Sequence, residues 1–212
     1  LLTNTFSQVN VACNGGTTGS ATVTPSGGTP NYTYSWLPSG GNSSAATNLG
    51  AGSYTVTISD ANGCTVTQTV LITQPTVLSA TYSQTNVICN GGNNGSATVI
   101  PSGGTPNYTY SWNPSGGNSA TAVNLSSGIY ICTITDANGC STTVPFTITQ
   151  PTPLILAPSQ VNVLCNGGNN GTAAVAAAGG TPSYTYLWNN GQTNATATGL
   201  TAGSYSVTVT DA

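Results

Sequence analysis

The sequence contains no lysine, arginine, histidine or methionine, and its only acidic residues are Asp60, Asp136 and Asp211. A chain without a cationic side chain cannot neutralise phosphates, which excludes nucleic acid as a partner. The same absence leaves no polybasic patch for an anionic lipid surface. No apolar run approaches the ~20 residues that cross a bilayer as a helix, so no membrane insertion is expected. Leu1 does not open a charged and then apolar leader. General acid–base chemistry needs a histidine, a tuned carboxylate pair, a lysine or a metal, and three scattered aspartates supply none of these. The chain is read as not an enzyme, with no cofactor, and isopeptide stapling is excluded because it needs lysine.

What the sequence has is repetition. Cys13, Cys89 and Cys165 stand 76 residues apart, and so do Trp36, Trp112 and Trp188. The text S-Q-V-N-V-A-C-N-G-G at Ser7, G-G-T-P-N-Y-T-Y-S-W at Gly27 and G-S-Y-T-V-T-I-S-D-A-N-G-C at Gly52 returns twice with few changes. Three tandem domains are implied, at 1–76, 77–152 and 153–212, the last truncated before its final strand. One residue is missing from the third copy between Trp188 and Gly203, which marks a variable loop. The sequence reads as a window cut from a longer mature protein.

Each complete copy holds one cysteine before its first Gly-Gly and one after Asn-Gly: Cys13 with Cys64, and Cys89 with Cys140. Recurrence of this kind in small Thr-, Asn- and Gly-rich domains points to disulfides and an oxidising, extracellular setting. A bridge within a copy would contribute roughly 4 kcal/mol by loop closure. Buried free thiols are the alternative. Cys165 has no equivalent partner in the sequence, and Cys132 replaces Val56 and Val207, which suits a small core side chain.

Apolar residues alternate with period two: Tyr32, Tyr34 and Trp36 against Thr33 and Ser35; Tyr54, Val56 and Ile58 against Thr55 and Thr57. Strands are expected near 5–12, 19–25, 31–37, 43–49, 53–59 and 65–73, shifted by 76 in the next copy. The fold class is all-β, with each copy an immunoglobulin-like antiparallel sandwich. L-S-S-G-I-Y-I-C at Leu125 has the form of a tyrosine corner, which makes Tyr54, Tyr130 and Tyr205 structural and places Trp36, Trp112 and Trp188 in the core. In D-A-N-G-C, Asp60 and Asp136 accept turn amides while Gly63 and Gly139 take positive φ. One carboxylate per copy is too few for a calcium site. If one strand separates the Trp36 strand from the Tyr54 strand, Cys13 and Cys64 lie at the same end and can pair. A further short strand between Leu37 and Ser44 would put them at opposite ends. The residues available favour the first arrangement.

Copies meet at T-Q-P-T-V-L and T-Q-P-T-P-L without a flexible tether. The last strand of one domain is expected to pass through a proline directly into the next. Pro75, Pro151 and Pro153 restrict swivelling, which implies a semi-rigid rod.

The pattern C-N-G-G-x-x-G-[ST]-A, then G-G-T-P-x-Y-T-Y-x-W, then G-x-Y-x-[VC]-T-[IV]-x-D-A-N-G-C resembles the SprB repeat over the whole chain, three times. That family occurs in long surface adhesins and other secreted proteins of gliding and related Bacteroidetes. The resemblance implies export and display as a filament at the cell surface, possible motility included. The chain is expected to be the non-enzymatic stalk or filament body of such an adhesin, its partners being neighbouring repeats. The alternative is a self-assembling extracellular fibre in which lateral copies pair, since no lysine guards the strand edges. A glycan-binding module ranks lower, because the aromatics that would form its platform fall on the inward faces of their strands.

Overall fold

The computed structural model describes residues 1–212. Repeat 1 has six strands, β1 (Thr3–Val9), β2 (Gly19–Ser26), β3 (Thr33–Leu37), β4 (Ala45–Leu49), β5 (Gly52–Ser59) and β6 (Thr65–Ile72). Repeat 2 repeats them as β7 (Ser79–Thr85), β8 (Gly95–Ser102), β9 (Thr109–Asn113), β10 (Thr121–Leu125), β11 (Gly128–Thr135) and β12 (Ser141–Ile148). Repeat 3 has β13 (Ile155–Val161), β14 (Gly171–Ala178), β15 (Thr185–Trp188), β16 (Thr196–Leu200) and β17 (Val207–Thr210). Every sheet is antiparallel, and the chain is all-β with immunoglobulin-like sandwiches.

The period-two pattern dictates the layers. In repeat 1, β1-β2-β4 form one sheet and β3-β5-β6 the other. Ala21, Val23, Ala46 and Leu49 from the first face Trp36, Val56, Ile58, Val70 and Ile72 from the second, all buried. The outward positions are filled by threonine, as at Thr65, Thr67 and Thr69, with cross-strand hydroxyl pairs such as Thr55–Thr69 at 3.0 Å. Repeat 2 has an equivalent core in which Phe146 replaces Val70, Val144 replaces Gln68 and Cys132 replaces Val56; Cys132 is fully buried and opposite Trp112 in register.

Strand direction departs from the expectation. β1 and β6 run the same way across the gap between sheets, because Asn4 meets Gln68, Gln8 meets the Leu71 carbonyl and Val11 meets the Thr73 carbonyl in ascending order. β3 is antiparallel to β5, and β5 to β6; β4 is antiparallel to β2, and β2 to β1. Consequently β3 and β4 point the same way, and residues 38–44 make the return trip between them. That segment is not a ladder strand. It folds back under Trp36, whose backbone amide donates to the Gly41 carbonyl and whose indole Nε1 donates to the Ser43 carbonyl. The reversal that spacing made look too short is achieved by a tight loop anchored to the tryptophan. Cys13, which comes after β1, therefore lies at the opposite pole from Cys64, which precedes β6, roughly 26 Å away for an eight-residue strand.

Candidate functional site at the repeat junction

The pole of repeat 1 that carries Cys13 faces the pole of repeat 2 that carries the Asp136 turn. Cys13 forms a disulfide with Cys140, with Cα atoms 5.7 Å apart and a sequence separation of 127. This corrects the expected pairing of Cys13 with Cys64 and of Cys89 with Cys140. The bridge runs from the first turn of one repeat to the last strand of the next, because the strand directions place the two cysteines of a single repeat at opposite ends. Cys64, Cys89 and Cys165 are exposed free thiols. Cys89 and Cys165 occupy the position of Cys13, and Cys64 that of Cys140, so every complete repeat carries one half of two such bridges.

Polar side chains lock the connector as well. Thr73–Leu78 contain no strand, so the expected continuous passage from strand to strand gives way to an extended, pinned segment. Asn10 Oδ1 accepts the Thr73 amide at 3.0 Å, Gln74 Oε1 accepts the Gly15 amide at 2.7 Å, and Asn14 Nδ2 donates to the Pro75 carbonyl at 2.9 Å. One residue on, the Thr76 carbonyl accepts the Gly104 amide of repeat 2. Asn138 Nδ2 then donates across the junction to the Ala12 carbonyl at 3.0 Å. The connector is thus hydrogen-bonded to both neighbours, which removes the freedom to swivel that its few residues would otherwise have.

The second junction repeats the connector pins. Gln150 Oε1 accepts the Gly91 amide at 2.8 Å, Asn90 Nδ2 donates to the Pro151 carbonyl at 2.9 Å, and the Thr152 carbonyl accepts the Gly180 amide. Cys89 stands there beside Pro153, Leu154, Gly180 and Asp211, around a cavity of about 310 Å³.

The Asp136 turn is built for its amides. Oδ2 accepts the Thr105 amide at 2.8 Å, and Oδ1 accepts the amides of Asn138 and Cys140 at 3.0 and 2.9 Å. Asp60 does the same with Thr29, Asn62 and Cys64. These donors, led by the Thr29 and Thr105 amides, hold both carboxyls below the usual aspartate value against the opposing effect of burial. A carboxylate ringed by N–H groups is turned away from cation binding. Gly63 and Gly139 have φ of 82° and 83°, closing the turns. Gly104 lies so close to the carboxylate that a Cβ there would sit 2.6 Å from Asp136 Oδ2.

Tyr54, Tyr130 and Tyr205 donate their hydroxyls to the carbonyls of Gly50, Ser126 and Thr201, four residues upstream. Trp36, Trp112 and Trp188 are buried, and Trp112 and Trp188 donate to Ser119 and Asn194 as Trp36 does to Ser43. Tyr32, Tyr108 and Tyr184 donate to the carbonyls of Gly27, Gly103 and Gly179. These rings are committed to the fold. Burial pushes the Cys132 thiol up to about 11, which keeps it protonated and unreactive.

Sequence reasoning missed the role of Asn14, Gln74, Asn90 and Gln150 as pins. Their signal was present: T-Q-P and C-N-G-G recur together in both complete copies. A family model described as SprB repeat matches three segments, residues 5–41, 81–117 and 157–193. Each match covers the first half of a repeat and stops before β4, β10 and β16 or their loops end. No curated protein matches the chain. Among solved structures, three N-terminal domains of the bacteriophage RB49 highly immunogenic outer capsid protein (Hoc) are similar at 16% identity and TM-score 0.47, covering 89% of this chain and 75% of that one. A Dscam structure is similar at 13% identity and TM-score 0.26, covering 84% and 61%. A complex of Dpr2 Ig1-Ig2 with DIP-Theta Ig1-Ig3 is similar at 11% and 0.26, covering 90% and 81%.

Proposed function

The chain belongs to the SprB repeat family, and on that footing we propose that it is the stalk or filament body of a secreted cell-surface adhesin, a passive spacer that holds something away from the cell. The family is one of cell-surface structural repeats, and a disulfide suits an oxidising extracellular setting. The observation that carries the stalk reading is the junction: a bridge, a pinned connector and cross-junction hydrogen bonds all resist bending between repeats. A glycan platform is disfavoured at Tyr32, Trp36 and Tyr54, whose polar ends are spent on local carbonyls. Resistance to trypsin-like proteases comes from the lack of lysine and arginine.

A lateral fibre is the second reading. β1 and β7 are edge strands with exposed apolar side chains, Phe6, Val9 and Tyr82, and no charge beside them. Imaging of living cells that express the protein, with a fluorescent antibody against the repeat, tests both. Label projecting from the surface and travelling along the cell body supports a motility adhesin. Static label on long bundles makes the chain a structural fibre, and label confined to the cell interior overturns both readings.

A further inference from the structure

We propose that the Cys13–Cys140 bridge carries the tension applied along the array, and that it takes residues 14–139 out of the load path. The proposal rests on the stalk reading only for the source of the tension; the mechanics belong to the isolated chain.

Consider a pull on Leu1 and Ala212. β1 crosses repeat 1 from pole to pole and delivers the force to Cys13. The shortest covalent route then passes through the two sulfurs to Cys140, and β12 carries it across repeat 2 to the second junction. Both strands are already extended at roughly 3.3 Å per residue, so pulling on their ends releases almost no length. β2 to β6 of repeat 1 and β7 to β11 of repeat 2 hang from this route and lie outside it. Either domain can unfold without the chain becoming longer. A bridge within a repeat would act differently: it would protect part of one domain and leave the connector, with its Gln74 and Asn14 pins, in series with the load. The observed pairing places a covalent bond across the seam between domains.

Repeat 3 is an internal control, since no bridge bypasses it. The experiment is single-molecule force–extension of the full chain held at its termini, with and without a thiol reductant. Under oxidising conditions only repeat 3 should add length. Reduction should add ~45 nm more, the contour of the 127-residue separation at ~3.6 Å per residue. Oxidised Cys13→Ser should behave as the reduced chain, while oxidised Cys64→Ser should keep the full shortfall. Equal extension in the oxidised and reduced chain overturns the proposal. So does a shortfall of only ~18 nm that Cys64→Ser abolishes, because that is the length a Cys13–Cys64 loop would hide. Neither outcome bears on where the protein is displayed, so the stalk reading stands or falls separately by imaging.

Discussion

Repeats 2 and 3 are similar in text as far as the D-A turn, and in this structure only repeat 2 includes the strand beyond it, so the two show how far each sheet of a repeat relies on that strand. Repeat 2 has β12, and its core contains twelve buried residues, whereas the core of repeat 3, without an equivalent strand, contains four. The β13-β14-β16 sheet keeps the pairing order of β7-β8-β10. The opposite sheet does not: β11 runs from Gly128 to Thr135, while β17 is limited to Val207–Thr210, and Val207 and Val209 are half-buried where Cys132 and Ile134 are fully buried. A groove of about 490 Å³ lined by Val163, Gly171, Leu200 and Tyr205 opens where Ile72 and Ile148 sit in the other repeats. One sheet of the repeat therefore keeps its pairing without the last strand, and the other draws on that strand for both hydrogen-bond partners and apolar cover. Eight backbone pairs and three buried side chains enter together with that strand.

The sharpest way to break the comparison is to make repeat 2 resemble repeat 3. Phe146 on β12 packs its ring 5.3 Å from Trp112 and 5.4 Å, edge-on, from Tyr82, joining both sheets. Phe146→Ala is expected to destabilise repeat 2 by about 3–5 kcal/mol. Hydrogen exchange read repeat by repeat should show β11 amides falling toward the protection of β17, with repeat 1 unchanged. Unaltered β11 exchange would mean that strand pairing alone, without the apolar cover, holds that sheet.

A smaller effect separates the same two repeats at glycine. A Cβ on Gly95 would lie 2.8 Å from Ile148 Cγ2 and 2.8 Å from the Leu125 carbonyl, so Gly95→Ala must push apart the two sheets. On Gly171 it would meet the Leu200 carbonyl at 2.9 Å and Val163 Cγ1 at 3.2 Å, but no isoleucine. Gly95→Ala should cost about 1–3 kcal/mol by overpacking, and Gly171→Ala measurably less in the same exchange experiment. Equal losses would assign the whole effect to the carbonyl.

Much of this was legible in the residues. Alternation in Tyr32–Trp36 and Tyr54–Ile58 defines two strands and their inward faces, because a pleated backbone has no other way to bury every second side chain. The tyrosine corner and the Asn62 and Cys64 amides that Asp60 accepts arise from local chemistry within five residues, while its bond from the Thr29 amide is a tertiary contact. Pairing of the cysteines was not legible, since a 76-residue period fits a bridge within a repeat and a bridge to the next equally well. Choosing between them required the direction of β4, which depends on how residues 38–44 fold against Trp36, a tertiary contact with no sequence period. The shortened β17 also lay outside local reasoning, because V-T-V-T has the same pattern as T-V-T-I and differs only in lacking a neighbour.

The smallest effect expected is the response to acid. The chain has no histidine, so no side chain with an ordinary value between pH 5 and 7 titrates, and stability should be level across that range. Asp60 and Asp136 are held below the usual aspartate value chiefly by the Thr29 and Thr105 amides, and the unfolded carboxyl lies near 3.9. A folded value lower than the unfolded one means that the charged form is bound more tightly by the native turn. Its stabilisation is complete above about pH 4 and is lost as pH falls through the lowered native value. Unfolding of the chain between pH 7 and pH 2 should thus show a plateau and then a decline. The double variant Asp60→Asn with Asp136→Asn should be less stable at pH 7, since an amide offers one acceptor oxygen to three N–H groups, and should lose most of the acid slope. If the slope survives both substitutions, its source is a carboxyl outside these two turns.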